Sequence, residues 1–60
     1  MDFLSWYASV KECATAHDRH YREIAGHLFF NEYASDMSYI AQVKPSDIPI
    51  HVERAAAVVR

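Results

Sequence analysis

Apolar and polar positions alternate with the period of an α-helix along the first half of the chain. Its seam positions recur at alternating steps of four and three, the spacing of a helix that buries one face. They are Phe3, Tyr7, Val10, Ala14, His17, Tyr21, Ile24, Leu28 and Asn31. No proline interrupts this stretch. The pattern predicts one long amphipathic helix over about residues 3–33, with Asp2 as its N-cap.

Two features bear on whether this helix is continuous. Gly26 falls on the polar face, where a glycine costs about 1 kcal/mol relative to alanine but leaves no hole in the core, so we expect the helix to continue past it. Beyond Leu28 the apolar positions move to a different face. This change predicts a bend or short loop near residues 31–36. Phe29, Phe30 and Tyr33 are expected to belong to the core.

The remaining sequence predicts two shorter helices. The second helix covers about residues 36–43, with Ser35 as its cap, because the residue before Pro45 is pushed out of the helical region. A third helix covers about residues 48–59 and has Pro49 in its first turn, where proline is tolerated.

Helix three has an apolar stripe at steps of four and three, formed by Ile48, Val52, Ala55 and Val59, and Ser46 or Asp47 is placed to cap it. A strand through residues 48–52 would have no partner strand in the sequence. The predicted fold class is therefore all-α. Residues 1–60 form a single small domain in which the two shorter helices fold back on the long helix as a helical hairpin.

The predicted helix lengths also bear on assembly. A first helix of about 30 residues is about 45 Å long, whereas the two later helices total about 30 Å. They would leave its N-terminal end uncovered, and that end carries aromatic residues of the kind enriched at interfaces. We therefore expect self-association into a dimeric helix bundle. The expected interface residues are Phe3, Leu4, Trp6, Tyr7, Val10 and, as a polar residue that sets register, Asn31.

Composition excludes several functional classes. The chain has 60 residues, of which 52% are hydrophobic and 13% aromatic, a composition typical of a folded protein and not of a disordered one. Its net charge is −2 with interleaved signs, which disfavours binding to nucleic acid or to a membrane surface. No apolar run is long enough to span a bilayer. The single cysteine, Cys13, cannot form an internal disulfide, and we expect a cytoplasmic protein.

One band of residues on the predicted long helix could bind a metal. Thiolate, imidazole and carboxylate groups are ligands for zinc and other transition metals. The band consists of Cys13, His17, His20, Glu23 and His27. However, the sequence has no HExxH or CxxC motif, so no cofactor is expected and a metal-binding helical bundle is kept as the alternative. The same histidines would also weaken a helical interface when they become protonated near pH 6.

Catalysis is not expected. Cys13 and His17 have the residue types of a nucleophile and its base, but the sequence has no nucleophile elbow or glycine-rich loop beside them. The expected function is that of a small, self-associating helical protein–protein interaction module. It would act as a regulator, inhibitor or assembly factor by binding another macromolecule. A second alternative is a transcription-related accessory protein that binds DNA as a dimer, through Arg19, Arg22, Arg54 and Arg60.

Overall fold

The computed structural model describes residues 1–33 and 37–59. Throughout these residues the secondary structure is helical and contains no strand, which confirms the predicted all-α class. The four α-helices are α1 (Phe3–Ala16), α2 (Tyr21–His27), α3 (Met37–Gln42) and α4 (Ile48–Val58). A π-helical turn, Leu28–Glu32, continues α2, and a 3₁₀ turn, Pro45–Asp47, precedes α4.

The prediction of one continuous helix over residues 3–33 is wrong, because α1 ends at Ala16. The chain then makes a turn in which Asp18 has a φ of 53°. The Arg19 N–H donates to the Ala14 carbonyl at 3.0 Å, and the Asp18 N–H donates to the Thr15 carbonyl at 2.9 Å. These two bonds form a Schellman motif with Asp18 in the left-handed position, a conformation that aspartate adopts more readily than most residues.

A signal for this turn is present in the sequence. His17, Asp18, Arg19 and His20 are four consecutive polar residues, and the only heptad position among them is His17. All four are exposed in the structure. An apolar stripe that is empty over a full turn gives a helix nothing to bury there, so ending α1 at this point leaves no large apolar side chain of the turn exposed.

The change of apolar phase after Leu28 is accommodated by the π-helical turn. The Tyr33 N–H donates to the Leu28 carbonyl at 2.9 Å, a bond that spans five residues instead of four. In a regular α-helix these two residues would point about 140° apart, but the wider turn lets both be buried. The helix therefore continues past Gly26, as predicted. The bend expected near residues 31–36 stays a prediction, since residues 34–36, including the Ser35 cap, lie outside the described residues.

The second half of the chain follows its predicted boundaries closely. Helix α4 has Pro49 in its first turn, and its stripe of Ile48, Val52 and Ala55 is buried. Asp47 occupies the N-cap position as expected, but its side chain makes no capping hydrogen bond. Whether α3 and α4 form a helical hairpin stays a prediction.

Helix α1 lies at the centre of the molecule, in contact with α2, α3 and α4. The described residues extend over 28 × 19 × 16 Å. The buried apolar core is formed by Trp6, Val10, Ala14, Ile24, Ala25, Leu28, Tyr33, Ile40, Ile48, Val52, Ala55 and Ala56. Because α1 has 14 residues instead of about 30, the later helices are long enough to cover it. The premise of an uncovered N-terminal end is therefore wrong.

Candidate interaction groove

An open apolar groove lies between the first turns of α1 and the helix formed by α2 and the π-helical turn. We call it the aromatic groove, and its volume is about 270 Å³. Its lining residues are Phe3, Trp6, Tyr7, Arg22, Ala25, Gly26, Phe29 and Phe30. The aromatic residues among them come from positions that the sequence places either at the interface or in the core. The groove brings the two predicted groups together.

Contacts between aromatic rings hold the two walls of the groove in place. The ring of Phe3 packs edge to face on Phe29 with centroids 5.3 Å apart, and it also lies 5.7 Å from the ring of Trp6. Phe29 in turn packs perpendicular to Phe30 at 5.1 Å. On the other wall, Tyr7 lies 6.0 Å from Phe3. Edge-to-face pairs of this kind add stability beyond the area they bury, so the groove has defined walls.

Gly26 contributes no side chain to the groove. A Cβ atom built at this position meets no other atom within 4 Å, and the backbone is not in a conformation that requires glycine. Glycine inside a helix is less stable than alanine by about 1 kcal/mol. Neither backbone geometry nor packing within the chain therefore explains the glycine, whereas the open space it leaves is part of the groove.

Arg22 is the one charged residue that lines the groove. Within residues 1–33 and 37–59, the only contact at ion-pair distance joins His51 to Glu32, so the Arg22 guanidinium has no carboxylate partner there. An unpaired cation at the edge of an apolar site favours a ligand that carries a negative charge or an aromatic ring.

The structure divides the predicted interface residues into three groups. Phe3 and Tyr7 line the aromatic groove, and Leu4 is 78% exposed. Trp6 also lines the groove but is only 1% exposed, and Val10 is fully buried, so neither is the uncovered interface residue that the sequence predicts. The reason is that the other helices pack against this face of the shortened α1 and bury it in the core.

Asn31, the last of the predicted interface residues, is exposed. Its side-chain amide is hydrogen-bonded to Nδ1 of His27, 3.2 Å away and one turn earlier. It therefore does not occupy a buried seam position. Phe30, which the sequence assigns to the core, is 67% exposed, because it lies two residues after the buried Leu28 and therefore points to the opposite face of the helix.

The structure does not bring the candidate metal ligands together. Within the described residues, no group of three histidine, cysteine, aspartate or glutamate side chains is placed to hold a metal ion. His17 is the C-cap residue of α1 and His20 is the N-cap residue of α2, so the turn between them removes the shared helix face on which the band depended. Cys13 is half-buried, and burial together with the nearby Glu12 carboxylate raises the pKa of its thiol. The raised pKa keeps the thiol protonated and lowers its reactivity.

Among the described residues, the arginines of the DNA-binding alternative do not form one continuous basic surface. Arg19 and Arg22 line one depression together with Glu23, and Arg19 also lines another with His17 and Glu53, so carboxylates lie among these arginines. Arg54 lies on α4, and Arg60 lies outside the described residues. The structure therefore gives this alternative no single basic surface among the residues it describes.

A cluster of polar groups at Glu32, Tyr33 and His51 was not predicted from the sequence. Nδ1 of His51 on α4 lies 3.5 Å from Oε2 of Glu32, and the His51 ring packs edge to face on Tyr33 at 5.8 Å. The Tyr33 hydroxyl and His51 Nδ1 are both buried without a hydrogen-bond partner. Burial, and secondarily the Glu32 charge, raise the pKa of Tyr33. The cluster joins α4 to the π-helical turn. His51 is far from Glu32 and Tyr33 in the sequence, so only the folded structure brings the three side chains together.

Comparison of the chain with protein-family models, with curated proteins and with solved structures finds no match. Among the described helices, none combines the length and apolar character required to cross a membrane. The aromatic groove must therefore be interpreted from its own geometry and chemistry.

Proposed function

We propose that this chain is a small protein-interaction module, which acts as a regulator, inhibitor or assembly factor by binding an apolar side chain of a protein partner in the aromatic groove. The observation that supports the proposal is an open apolar groove with Gly26 in its wall, at a point where the fold itself has no need of a glycine.

The size of the groove favours one large side chain as its ligand. An apolar cavity of about 150 Å³ is sufficient for benzene, whereas sites for drug-sized molecules and cofactors span about 300–1,000 Å³. At about 270 Å³, the aromatic groove has room for an aromatic or branched aliphatic side chain with its Cβ. Amphipathic helices dock in this way, with an anchor residue in a groove and further contacts along its rim.

The rim supplies those further contacts. Phe30 projects from one wall, and Leu4 lies three residues before Tyr7, on the same side of α1. Leu4 and Phe30 are the most exposed large apolar side chains among the described residues. Arg22 adds a positive charge that would pair with an acidic residue beside the anchor.

The stability cost at Gly26 is consistent with this role. A side chain here would improve helix propensity and also fill part of the groove. Binding sites commonly retain residues that are not optimal for stability. A substitution at Gly26 that fills the groove with a side chain is therefore the direct test of this role.

The experiment is selection from a displayed library of α-helical peptides, using wild-type protein immobilised at low density and a Gly26→Leu variant. Leucine is a strong helix former, and its side chain would occupy the groove without entering the core. Ala57→Leu is the matched control, because Ala57 is exposed on α4 and does not line the groove.

Peptides with an aromatic or aliphatic anchor should bind wild type and Ala57→Leu, and should lose about tenfold or more in affinity for Gly26→Leu. Circular dichroism should show the same helix content in all three proteins. If no peptide is enriched, or if the enriched peptides bind Gly26→Leu as tightly as wild type, the groove does not bind the side chain of a helical partner protein.

A further inference from the structure

A projecting aromatic ring and an open apolar groove lie side by side on one face of the molecule. Phe30 lines the aromatic groove, yet 67% of the residue remains exposed. Its ring is held perpendicular to Phe29, which belongs to the wall of the groove. The ring therefore extends from the edge of the groove and does not fill it.

We propose that the occupant of the aromatic groove is a second copy of this chain, in a symmetric dimer in which the Phe30 ring of each copy inserts into the groove of the other. The inference rests on the proposed function, and it names the partner. In a two-fold dimer the same patch meets itself, so a patch that carries both a projection and a matching groove is self-complementary. The two features adjoin each other, because Phe30 on the π-helical turn is itself one of the residues that line the groove.

The groove fits a phenylalanine ring in size and in chemistry. Its volume of about 270 Å³ exceeds the space that a benzene ring requires. Aromatic rings line it, and these offer edge-to-face contacts to an incoming ring. Arg22, which has no ion-pair partner within the described residues, lies where it can pack on the inserted ring.

The available area indicates a reversible dimer. A stable interface buries roughly 800 Å² on each partner, which is about a fifth of the 4076 Å² surface of this chain. A phenylalanine carries roughly 150–250 Å², so the exposed part of Phe30 supplies about 100–170 Å² per copy. Leu4 and the half-buried groove walls add to this area. We therefore expect a dissociation constant in the micromolar range, typical of small interfaces with a single anchor.

Charge does not oppose the association. The formal net charge of each chain is only −2. The one charged group in the groove is a cation, which attracts the face of an aromatic ring. The two Arg22 side chains are each placed against an inserted ring and not against each other's charge.

Sedimentation velocity over about 1 µM to 1 mM tests the proposal, with Phe30→Ala and Gly26→Leu as the disrupting variants. Val58→Ala is the matched control, because Val58 is 66% exposed and lies on α4, outside the groove. Wild type and Val58→Ala should show the same monomer–dimer equilibrium. Phe30→Ala and Gly26→Leu should weaken it at least about tenfold, with unchanged helix content.

An isotope-filtered NMR experiment on mixed labelled and unlabelled protein gives a direct second readout. The chain has one glycine, so the α-protons of Gly26 are identified without ambiguity. Contacts between these protons in one copy and the Phe30 ring in the other are expected. Their absence in a sample that is dimeric would overturn the proposed geometry.

The outcomes separate this inference from the proposed function. A protein that stays monomeric at about 1 mM, or a Val58→Ala variant as weak as Phe30→Ala, would overturn the dimer. If peptides still distinguish wild type from Gly26→Leu in that case, the groove remains a binding site for another protein. If the peptides fail to do so while Gly26→Leu disrupts the dimer, the second copy is the only occupant supported.

Discussion

Oδ1 of Asp2 accepts a hydrogen bond from the Ser5 backbone N–H at 2.7 Å. This bond caps the N-terminus of α1, the helix that contacts all three of the others. It confirms the N-cap predicted from the sequence. The same bond lowers the pKa of the Asp2 carboxyl, because the carboxylate is a better acceptor than the carboxylic acid.

The lowered pKa of Asp2 predicts a specific pH dependence of stability. The folded-state pKa lies below the unfolded-state value of about 3.9, so the contribution is present above that pH and is lost as pH falls through the folded-state pKa. Asp2→Ala should therefore be less stable than wild type at neutral pH, and this difference should shrink in acid.

Asp2→Asn is the control, since asparagine caps helices about as well as aspartate and does not titrate. Its stability difference from Asp2→Ala should stay constant with pH. Urea denaturation followed by circular dichroism at a series of pH values measures both differences. A constant difference between wild type and Asp2→Ala would contradict the capping role.

Substitutions at Asp18 distinguish the observed turn from a continuous helix, because the two structures predict opposite orders. In the turn, Asp18 has a positive φ that costs most residues about 1–2 kcal/mol. Asp18→Ala should lower stability by about 1 kcal/mol, and Asp18→Gly should leave it unchanged or raise it. In a continuous helix, alanine would be the more stable of the two by about 1 kcal/mol.

The same pair of substitutions at Glu12, which is exposed within α1, serves as the internal standard. There the ordinary helix order, alanine more stable than glycine, should hold. Thermal or urea denaturation gives the ranking. The order found at Glu12, if also found at Asp18, would show that the turn is absent in solution.

Trp6 should behave as a core residue. It is 1% exposed, and truncation of a buried tryptophan typically costs about 3–5 kcal/mol. That is enough to unfold a small domain, so Trp6→Phe is the milder variant and should lower the urea midpoint while keeping the fold. Leu4→Ala, at an exposed position in the same turn, should change stability by less than about 0.5 kcal/mol.

Circular dichroism at concentrations well below the expected dissociation constant, where the proposed dimer is dissociated, measures Trp6→Ala, Trp6→Phe and Leu4→Ala. Equal effects of Trp6→Ala and Leu4→Ala would contradict the burial of Trp6. They would instead favour the exposed aromatic end that a long first helix would have produced.

The Tyr33 hydroxyl is expected to be dispensable for stability at neutral pH. It is buried without a hydrogen-bond partner, whereas the ring packs on Trp6 and His51. Tyr33→Phe keeps the ring and removes an unsatisfied polar atom, so stability should be unchanged or higher by up to about 1 kcal/mol.

Alkaline titration gives a second readout for Tyr33. Its folded-state pKa is raised above the unfolded value of about 10, so stability is fully present below that pH and is lost as pH rises through the folded-state pKa. Tyr33→Phe should lose this decline, and Tyr39→Phe, at an exposed position, should keep it. A variant Tyr33→Phe that is more than about 1 kcal/mol less stable at neutral pH would show that the hydroxyl has a partner.

The sequence was sufficient for features that depend on neighbouring residues. The Asp2 cap, the position of Pro49 in the first turn of α4 and the buried stripe of α4 all follow from local rules. The sequence was insufficient for features that depend on how two helices pack against each other. The step from Ala14 to Tyr21 satisfies the heptad spacing whether or not the chain reverses between them, and only packing selects the turn.

The aromatic groove likewise could not be predicted from the sequence alone. The sequence predicts Phe3 and Tyr7 as interface residues, but their relation to Phe29 and Phe30 depends on how α1 packs against the helix formed by α2 and the π-helical turn. The extra residue in the π-helical turn changes the direction of the side chains after it, and periodicity registers this only as a change of phase. Gly26 was placed correctly on the outer face of its helix, although its place in the groove could not be known without the fold.

The π-helical turn also determines how the chain tolerates changes in length. Removing one exposed residue such as Asn31 would return this segment to regular α-helical hydrogen bonding and would place Tyr33 four residues after Leu28, about 40° from it around the helix. Tyr33 would then still face the core. If the segment became a regular α-helix without a deletion, Tyr33 would lie about 140° from Leu28 and would leave the core. The extra residue and the wider turn therefore compensate each other, and the fold depends on their being kept or lost together.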